Sequence, residues 1–273
     1  PAPRNNYNAT IETINDLAQE MSRLAGLDEA HPVGIGTPGS INPESGLLQN
    51  ANSVWLNDKP FLDDLEQHMS RPVRMANDAD CFTLSEAHDG AGKDAKSVFG
   101  VILGTGCGGG LVYQGQLLTG PRGINSEWGH NPLPWARPAE LPGPLCWCGH
   151  HGCLETWISG PALEADYRQI SGTYLTAKEI AQLGESNEHA RQALHGHVSR
   201  VARGLAAVVN LVDPEVIVLG GGLSAMKHLY EDVPHRMMPY IFSQSKSVEL
   251  RPPAHGDASG VRGAARLWQD ALQ

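Results

Sequence analysis

The sequence predicts an α/β protein. Three observations carry that prediction. Helical and strand periodicities alternate along the chain. Apolar strands run directly into glycine-rich loops. The 273 residues suffice for a sizeable core and one or two domains.

The elements follow in order. Residues 8–24 put Ile11, Ile14, Leu17, Met21 and Leu24 at helical spacing. HPVGIGTPG, 31–39, is a short strand ending in a Gly/Pro loop, and PFLDDLEQHM, 60–69, is a second helix. In PVRMANDAD, 72–80, a strand breaks at Asn77-Asp78, and CFTLSEAHDGAG, 81–92, is a helix stopped by glycines. SVFGVIL, 97–103, is an apolar strand that enters the loop GTGCGGG, 104–110; LVYQGQLLTG, 111–120, is its hairpin partner. Helical stretches follow at 160–170, 176–183 and 189–212. Asp213-Pro214 is a turn. EVIVLGGGLS, 215–224, is a buried strand entering a second glycine loop. VEL, 248–250, is a late strand, and 259–272 is a final helix.

Composition narrows the function. The net charge is −10 and no window approaches 18 uninterrupted apolar residues. Nucleic acid, anionic membrane and a membrane span are thereby disfavoured. A phosphorylated ligand is not, because backbone N–H groups can hold one locally. Five cysteines cannot all pair, and no secretion signal is visible, so a cytoplasmic location is expected.

Four groups of residues carry chemistry. Cys146, Cys148 and Cys153 form C-x-C-x4-C, with Gly149 and Gly152 letting the chain double back. Three thiolates and a histidine would make a closed, structural zinc site. His130, His150 and His151 compete for the fourth place, and incidental thiols in a tight loop remain the plain alternative. Gly104, Thr105 and Gly106 follow one strand, and Gly220, Gly221 and Gly222 another. Such loops either grip a nucleotide at two points or merely turn. No Lys-Ser/Thr follows the first, so it is not a Walker loop. Asn77-Asp78 stands where a strand gives way to a helix, as a cap or as chemistry; Asp80 could cap instead. Glu127 and Glu155 flank the cysteine segment.

Together, Asn77-Asp78, Gly104-Thr105-Gly106, Glu127-x-Gly-His130, the cysteine run through Glu155 and Gly220-Gly221-Gly222 resemble the ROK family (repressor, open reading frame, kinase). The resemblance runs from about residue 1 to residue 270. It implies a two-lobed hexokinase/actin-like (ribonuclease H-like) fold. The small lobe would take residues 1–96 and 257–273, and the large lobe 97–256, with the zinc-binding segment at 130–153. "GTPGSINPESGLLQNANSVWLNDKPF", "EWGHNPLPW", "ETWISG" and "HGDASGVRGAARLW" look most like bacterial ROK fructokinases. The implied reaction is ATP-dependent phosphorylation of D-fructose to fructose 6-phosphate. An N-acetylglucosamine, N-acetylmannosamine or glucose kinase is the alternative within the class. A sugar-responsive repressor without its DNA-binding domain is the alternative outside it.

The resemblance also implies roles. Asp78 is the general base. Asn77, Glu127, His130 and Glu155 clamp the sugar, with Gly39 and Asn52 adding to it. His130 ligates structural Zn2+ with Cys146, Cys148 and Cys153. Gly104 to Gly106 take the phosphates of ATP, which comes with Mg2+, and Gly220 to Gly222 lie near the adenosine. A homodimer through the large lobe is implied too. Two departures stand out. The family's N-terminal Asp-x-Gly-Gly-Thr-Lys loop is not in this sequence, so a chain lacking the first strands of the small lobe, with weak turnover, is expected. Asn125-Ser126 stands where relatives carry Ala/Thr-Gly, so a reshaped sugar pocket is expected.

Overall fold

The computed structural model describes residues 3–28, 30–245 and 247–269. The elements are α1 (Tyr7–Ala25), β1 (Val33–Thr37), β2 (Ser40–Ile41), β3 (Leu48–Gln49), α2 (Phe61–Met69), β4 (Val73–Asn77), α3 (Asp78–His88), β5 (Ser97–Leu103), β6 (Cys107–Tyr113) and β7 (Gln116–Leu117). Then come α4 (Glu155–Ile158), α5 (Gly160–Ser171), α6 (Ala177–Leu183), α7 (Glu188–Val212), β8 (Val216–Gly220), α8 (Lys227–Met237), β9 (Glu249–Arg251) and α9 (Ser259–Arg266). Among the described residues no helix is long and apolar enough to cross a membrane.

Two hydrophobic layers form around separate sheets. In the first lobe β1 pairs parallel with β4, from Val33 opposite Val73 to Thr37 opposite Asn77. The sheet's register therefore delivers Asn77 to the end of β4, beside the β1 terminus. Ile11, Phe61, Leu65 and Val73 fill the core beside it. In the second lobe the sheet order is β7-β6-β5-β8-β9, with β5, β8 and β9 parallel and β6 antiparallel to β5. All five residues of β8 are buried, as expected of a central strand covered on both faces. Leu103, Leu205, Ile217 and Leu219 join its main core, under α7.

Helix α3 lies where the two layers meet. Phe82 packs with Val98, Val216 and Val218 of the five-stranded sheet, while Gly263 of α9 abuts the carbonyl of Cys81. Residue 96, the expected lobe boundary, thus falls after a helix that packs against the second lobe's sheet. The fully buried Glu86 closes this junction. It accepts from the amides of Ala91, Ala254 and His255 at 2.8, 3.0 and 3.2 Å and from the Ser259 hydroxyl at 2.7 Å. The last three of those bonds tie the end of α3 to the crossover between β9 and α9.

The structure departs from the sequence reading at four points. The glycine loop spans only Gly104–Gly106; Gly108, Gly109 and Gly110 belong to β6. They are glycines because α3 and Trp128 lie so close. A Cβ on Gly108 would sit 3.1 Å from Ala79 Cβ, on Gly109 2.8 Å from Trp128 Cδ1, and on Gly110 2.8 Å from the Ala79 carbonyl. The apolar stripe of α1 is covered at Ile11 and Ile14 but exposed at Leu17, Met21 and Leu24. The covered face runs the length of the helix through Tyr7, Ile11, Ile14, Asn15, Ala18 and Ser22, and Leu17, Met21 and Leu24 lie off it. Helix α8 had no counterpart in the sequence reading, because its internal Pro234 breaks the pattern. The predicted final helix ends at Arg266, and its last residues, 270–272, lie outside the described residues.

Candidate functional site

The site forms at the turn from β4 into α3. Asn77 caps the helix: its Oδ1 accepts from the Ala79 amide at 2.9 Å, and its Nδ2 donates to the Gly39 carbonyl at 3.1 Å. Gly39 has φ +75°, and a Cβ there would collide with the Gln49 carbonyl and sit 2.7 Å from the Ala51 amide. Asn52 follows, exposed. Asp78 opens α3, where the helix dipole favours an anion, and its Oδ1 accepts from the Ala79 amide at 2.8 Å. Asp78 is open to solvent at the cleft surface, yet the protein around it pushes its carboxyl above the ordinary range; the Ala79 amide opposes that. Asp80 does not cap. Its Oδ1 is buried without a hydrogen-bond partner among the described residues. Burial first, then the Glu127 and Asp78 carboxylates, push it up to about 7.

Glu127 enters from the second lobe. Burial raises its carboxyl; His130 opposes the shift, while Asp78 and Glu155 add to it. These mutual effects mark one acidic cluster made from both lobes. Asn125 Nδ2 donates to Ser126 Oγ at 2.9 Å, and Ser126 takes a left-handed backbone, φ +63°. Glu155 begins α4. Its Oε2 accepts from the Cys107 amide at 3.0 Å and its Oε1 from the Trp147 indole at 2.8 Å. A Cβ on Gly106 would meet Oε2 at 2.8 Å, so Gly106 lies against Glu155.

The cysteine segment stands beside these carboxylates. The ligand atoms of His130, Cys146, Cys148 and Cys153 all lie within 4.8 Å of one another. His130 Nδ1 is 3.5 Å from Cys146 Sγ, and Cys148 Sγ is 3.5 Å from Cys153 Sγ. Gly149 and Gly152, at φ +90° and +76°, turn the chain back. Three soft sulfurs and an imidazole fit a zinc ion by number, type and convergence. The set also favours His130 over His150 and His151. Behind the segment, the buried Arg203 grips Glu140 at 2.7 and 2.8 Å and donates to the Trp135 carbonyl at 2.8 Å.

A cavity of about 1060 Å³ opens on the other side of the 104–106 turn. Gly104, Thr105 and Gly222 line it with Glu164, Lys178 and Lys227. Gly106, Gly220 and Gly221 are not among its lining residues. Gly220 is buried and faces the Phe82 ring at 2.5 Å from where a Cβ would stand; Gly221, φ +77°, is pressed on Leu103. Sequence reasoning took Asp80 only for a possible cap and missed Trp147, Lys178 and Lys227. The lysines carry no motif; Trp147 had one cue, its place between two ligand-type cysteines.

Two lobes, a carboxylate at a helix N-terminus between them and a glycine-edged cavity alongside are the arrangement of the hexokinase-like α/β class. The chain belongs to the ROK family, whose sequence model matches residues 1–271. An N-acetyl-D-glucosamine kinase from Haemophilus influenzae (strain 86-028NP) is 38% identical over 98% of this chain and 90% of its own length. An N-acetyl-D-glucosamine kinase from Yersinia enterocolitica is 37% identical over 98% of this chain and 89% of its own. The ROK hexokinase of Thermus thermophilus superposes with a TM-score of 0.85 at 31% identity, covering 100% of this chain and 90% of that one.

Proposed function

We propose that this sugar kinase transfers the γ-phosphoryl group of ATP to a hydroxyl of N-acetyl-D-glucosamine. The observation that carries the sugar is the similarity to N-acetyl-D-glucosamine kinases over nearly the whole chain. It favours the alternative within the class over D-fructose. The named relatives are enzymes, which favours a kinase over a sugar-responsive repressor.

Asp78 accepts the proton of the attacking hydroxyl. The hydroxyl oxygen bonds to the γ-phosphorus, the bond to the β–γ bridging oxygen breaks, and ADP leaves. Phosphoryl transfer asks mainly for position and charge neutralisation. Asn77, Glu127, His130 and Glu155 hold the sugar by its hydroxyls, and Gly39 fixes the Asn77 amide. A pocket that bonds hydroxyls rejects analogues lacking them. The acidic cluster holds Asp78, Asp80 and Glu127 in mutual repulsion, so it suits a neutral sugar and disfavours a bare polyphosphate. Mg2+ supplied with ATP neutralises the phosphates. Gly104, Thr105 and Gly222, with Lys178 and Lys227, take the nucleotide in the adjoining cavity. His130, Cys146, Cys148 and Cys153 hold a structural zinc ion, which would fix His130 and the segment leading to Glu155.

The test is ADP release from Mg–ATP with N-acetyl-D-glucosamine, D-glucose, D-mannose and D-fructose. The highest kcat/KM is expected for N-acetyl-D-glucosamine. A clear lead for fructose would restore the fructokinase reading, and no turnover with any sugar would remove the kinase assignment.

A further inference from the structure

Trp147 is an unusual side chain for its place. It stands between Cys146, which is buried, and Cys148, and is itself 59% exposed. Exposed tryptophan on a loop invites no explanation by itself. Its contacts supply one. The indole N–H donates to Glu155 Oε1 at 2.8 Å. The ring meets His130 edge-to-face, centroids 4.9 Å apart at 89°. One side chain therefore touches two residues of the sugar clamp, from within the metal loop.

The bond to Glu155 has a definite geometry. Oε2 is held by the Cys107 amide on β6, and Oε1 by the indole. A carboxylate offers about four lone-pair positions. Both oxygens are thus anchored from the protein side, and each keeps a lone pair for a hydroxyl. With Oε1 unanchored the carboxylate could rotate about its terminal torsion, which is broad and roughly two-fold. Binding would then bear the loss of that freedom.

We infer that Trp147 is a positioning residue for the sugar: its indole N–H sets the Glu155 carboxylate, and its ring steadies the His130 imidazole. The inference rests on the assignment of Glu155 and His130 to the sugar site. It acts on ground-state sugar binding. Asp78 and the nucleotide cavity lie outside its contacts, so the chemical step and ATP binding are left as they are.

The experiment is a double-mutant cycle of Trp147→Phe and Glu155→Gln, read with N-acetyl-D-glucosamine and Mg–ATP. Phenylalanine keeps a ring against His130 and removes the N–H donor together with the indole's second ring. Trp147→Phe should raise the sugar KM about 10-fold, the scale of a lost charge-assisted hydrogen bond, with kcat and the ATP KM within about 2-fold. In the Glu155→Gln background the same change should add less than about 3-fold, because coupled residues are not additive. Bound zinc should be equal in all four proteins, and parent tryptophan emission should change on sugar addition by more than that of Trp147→Phe.

A sugar KM within 2-fold of the parent in Trp147→Phe, with Glu155→Gln strongly impaired, overturns the inference and leaves the sugar site standing. Equal effects of Trp147→Phe in both backgrounds overturn it too, because the indole would not act through Glu155. Loss of zinc in Trp147→Phe would assign the side chain to the metal loop instead. A Glu155→Gln variant with unchanged sugar KM would remove Glu155 from the sugar site, and the inference with it.

Discussion

Asp78 and Asp80 stand two residues apart on one helix turn and differ in what meets them. Asp78 accepts an amide N–H at the helix start and faces solvent; Asp80 has a buried oxygen with no partner among the described residues. Asp78→Asn should lower kcat by roughly 10²–10⁴, the range for a lost general base, while calorimetry shows sugar affinity within several-fold of the parent. Because the protein around it raises the Asp78 carboxyl and the base must be ionised, kcat/KM should fall on the acid side at a higher pH than for an ordinary aspartate. Asp80 bears on stability. Its folded pKa of about 7 exceeds the ordinary 3.8, so the folded state binds the proton more tightly. Stability is then fully present below about pH 4 and falls as pH rises toward 7. Asp80→Asn should stabilise the fold at pH 8 by roughly 1–3 kcal/mol, seen as a higher thermal midpoint, with the gain vanishing near pH 4. A pH-independent difference in melting would refute the account.

At the scale of elements, the close approach of α3 to β6 sets where Asp78 lies. Gly110→Ala would press a methyl on Thr83 Oγ1 and the Ala79 carbonyl. It should cost about 1–3 kcal/mol by urea denaturation and lower kcat as α3 shifts. Gly260→Ala, with open space around its Cβ in α9, should be neutral or stabilising by up to about 1 kcal/mol. The same contact shows what a sequence can and cannot disclose. The alternation of strands and helices was legible, since each apolar run ends at its own glycine, proline or cap. The β6 glycines were read as a loop, because a glycine that turns and a glycine that yields to a neighbour look alike in a string. Asn77, Asp78, Glu127, His130 and Glu155 were legible as a family pattern, and the structure brings them together. Asp80 and Trp147 were not, because their significance comes from Glu127 and Glu155, which only folding sets beside them.

Across the whole molecule, the carboxylates divide by task. Asp78, Asp80 and Glu127 in the cleft are pushed up, whereas Glu140 and Asp89, which hold segments together, are held down. Glu140, despite the upward push of burial, is kept at about 2 by Arg203, the Arg137 amide and Arg200. Asp89, likewise against burial, is kept at about 2 by Arg266, Arg262 and His255. A depressed folded pKa contributes stability above the unfolded value, and that stability is lost as pH falls through the folded value. The urea midpoint should therefore fall steadily from about pH 4.5 toward pH 2, and Glu140→Gln should flatten part of that slope while lowering stability at pH 7. The Arg203 grip has one more consequence, in the order of assembly. Its guanidinium anchors Trp135 and Glu140 on α7 through bonds that need no ion. The lobe could therefore finish folding first and receive the zinc proposed for its cysteine segment last. Stripping a zinc ion from that site should speed hydrogen exchange around His130 and in 142–153, while the amides of α7 stay protected: the metal would be a late fitting on a standing frame rather than the seed around which the frame is built.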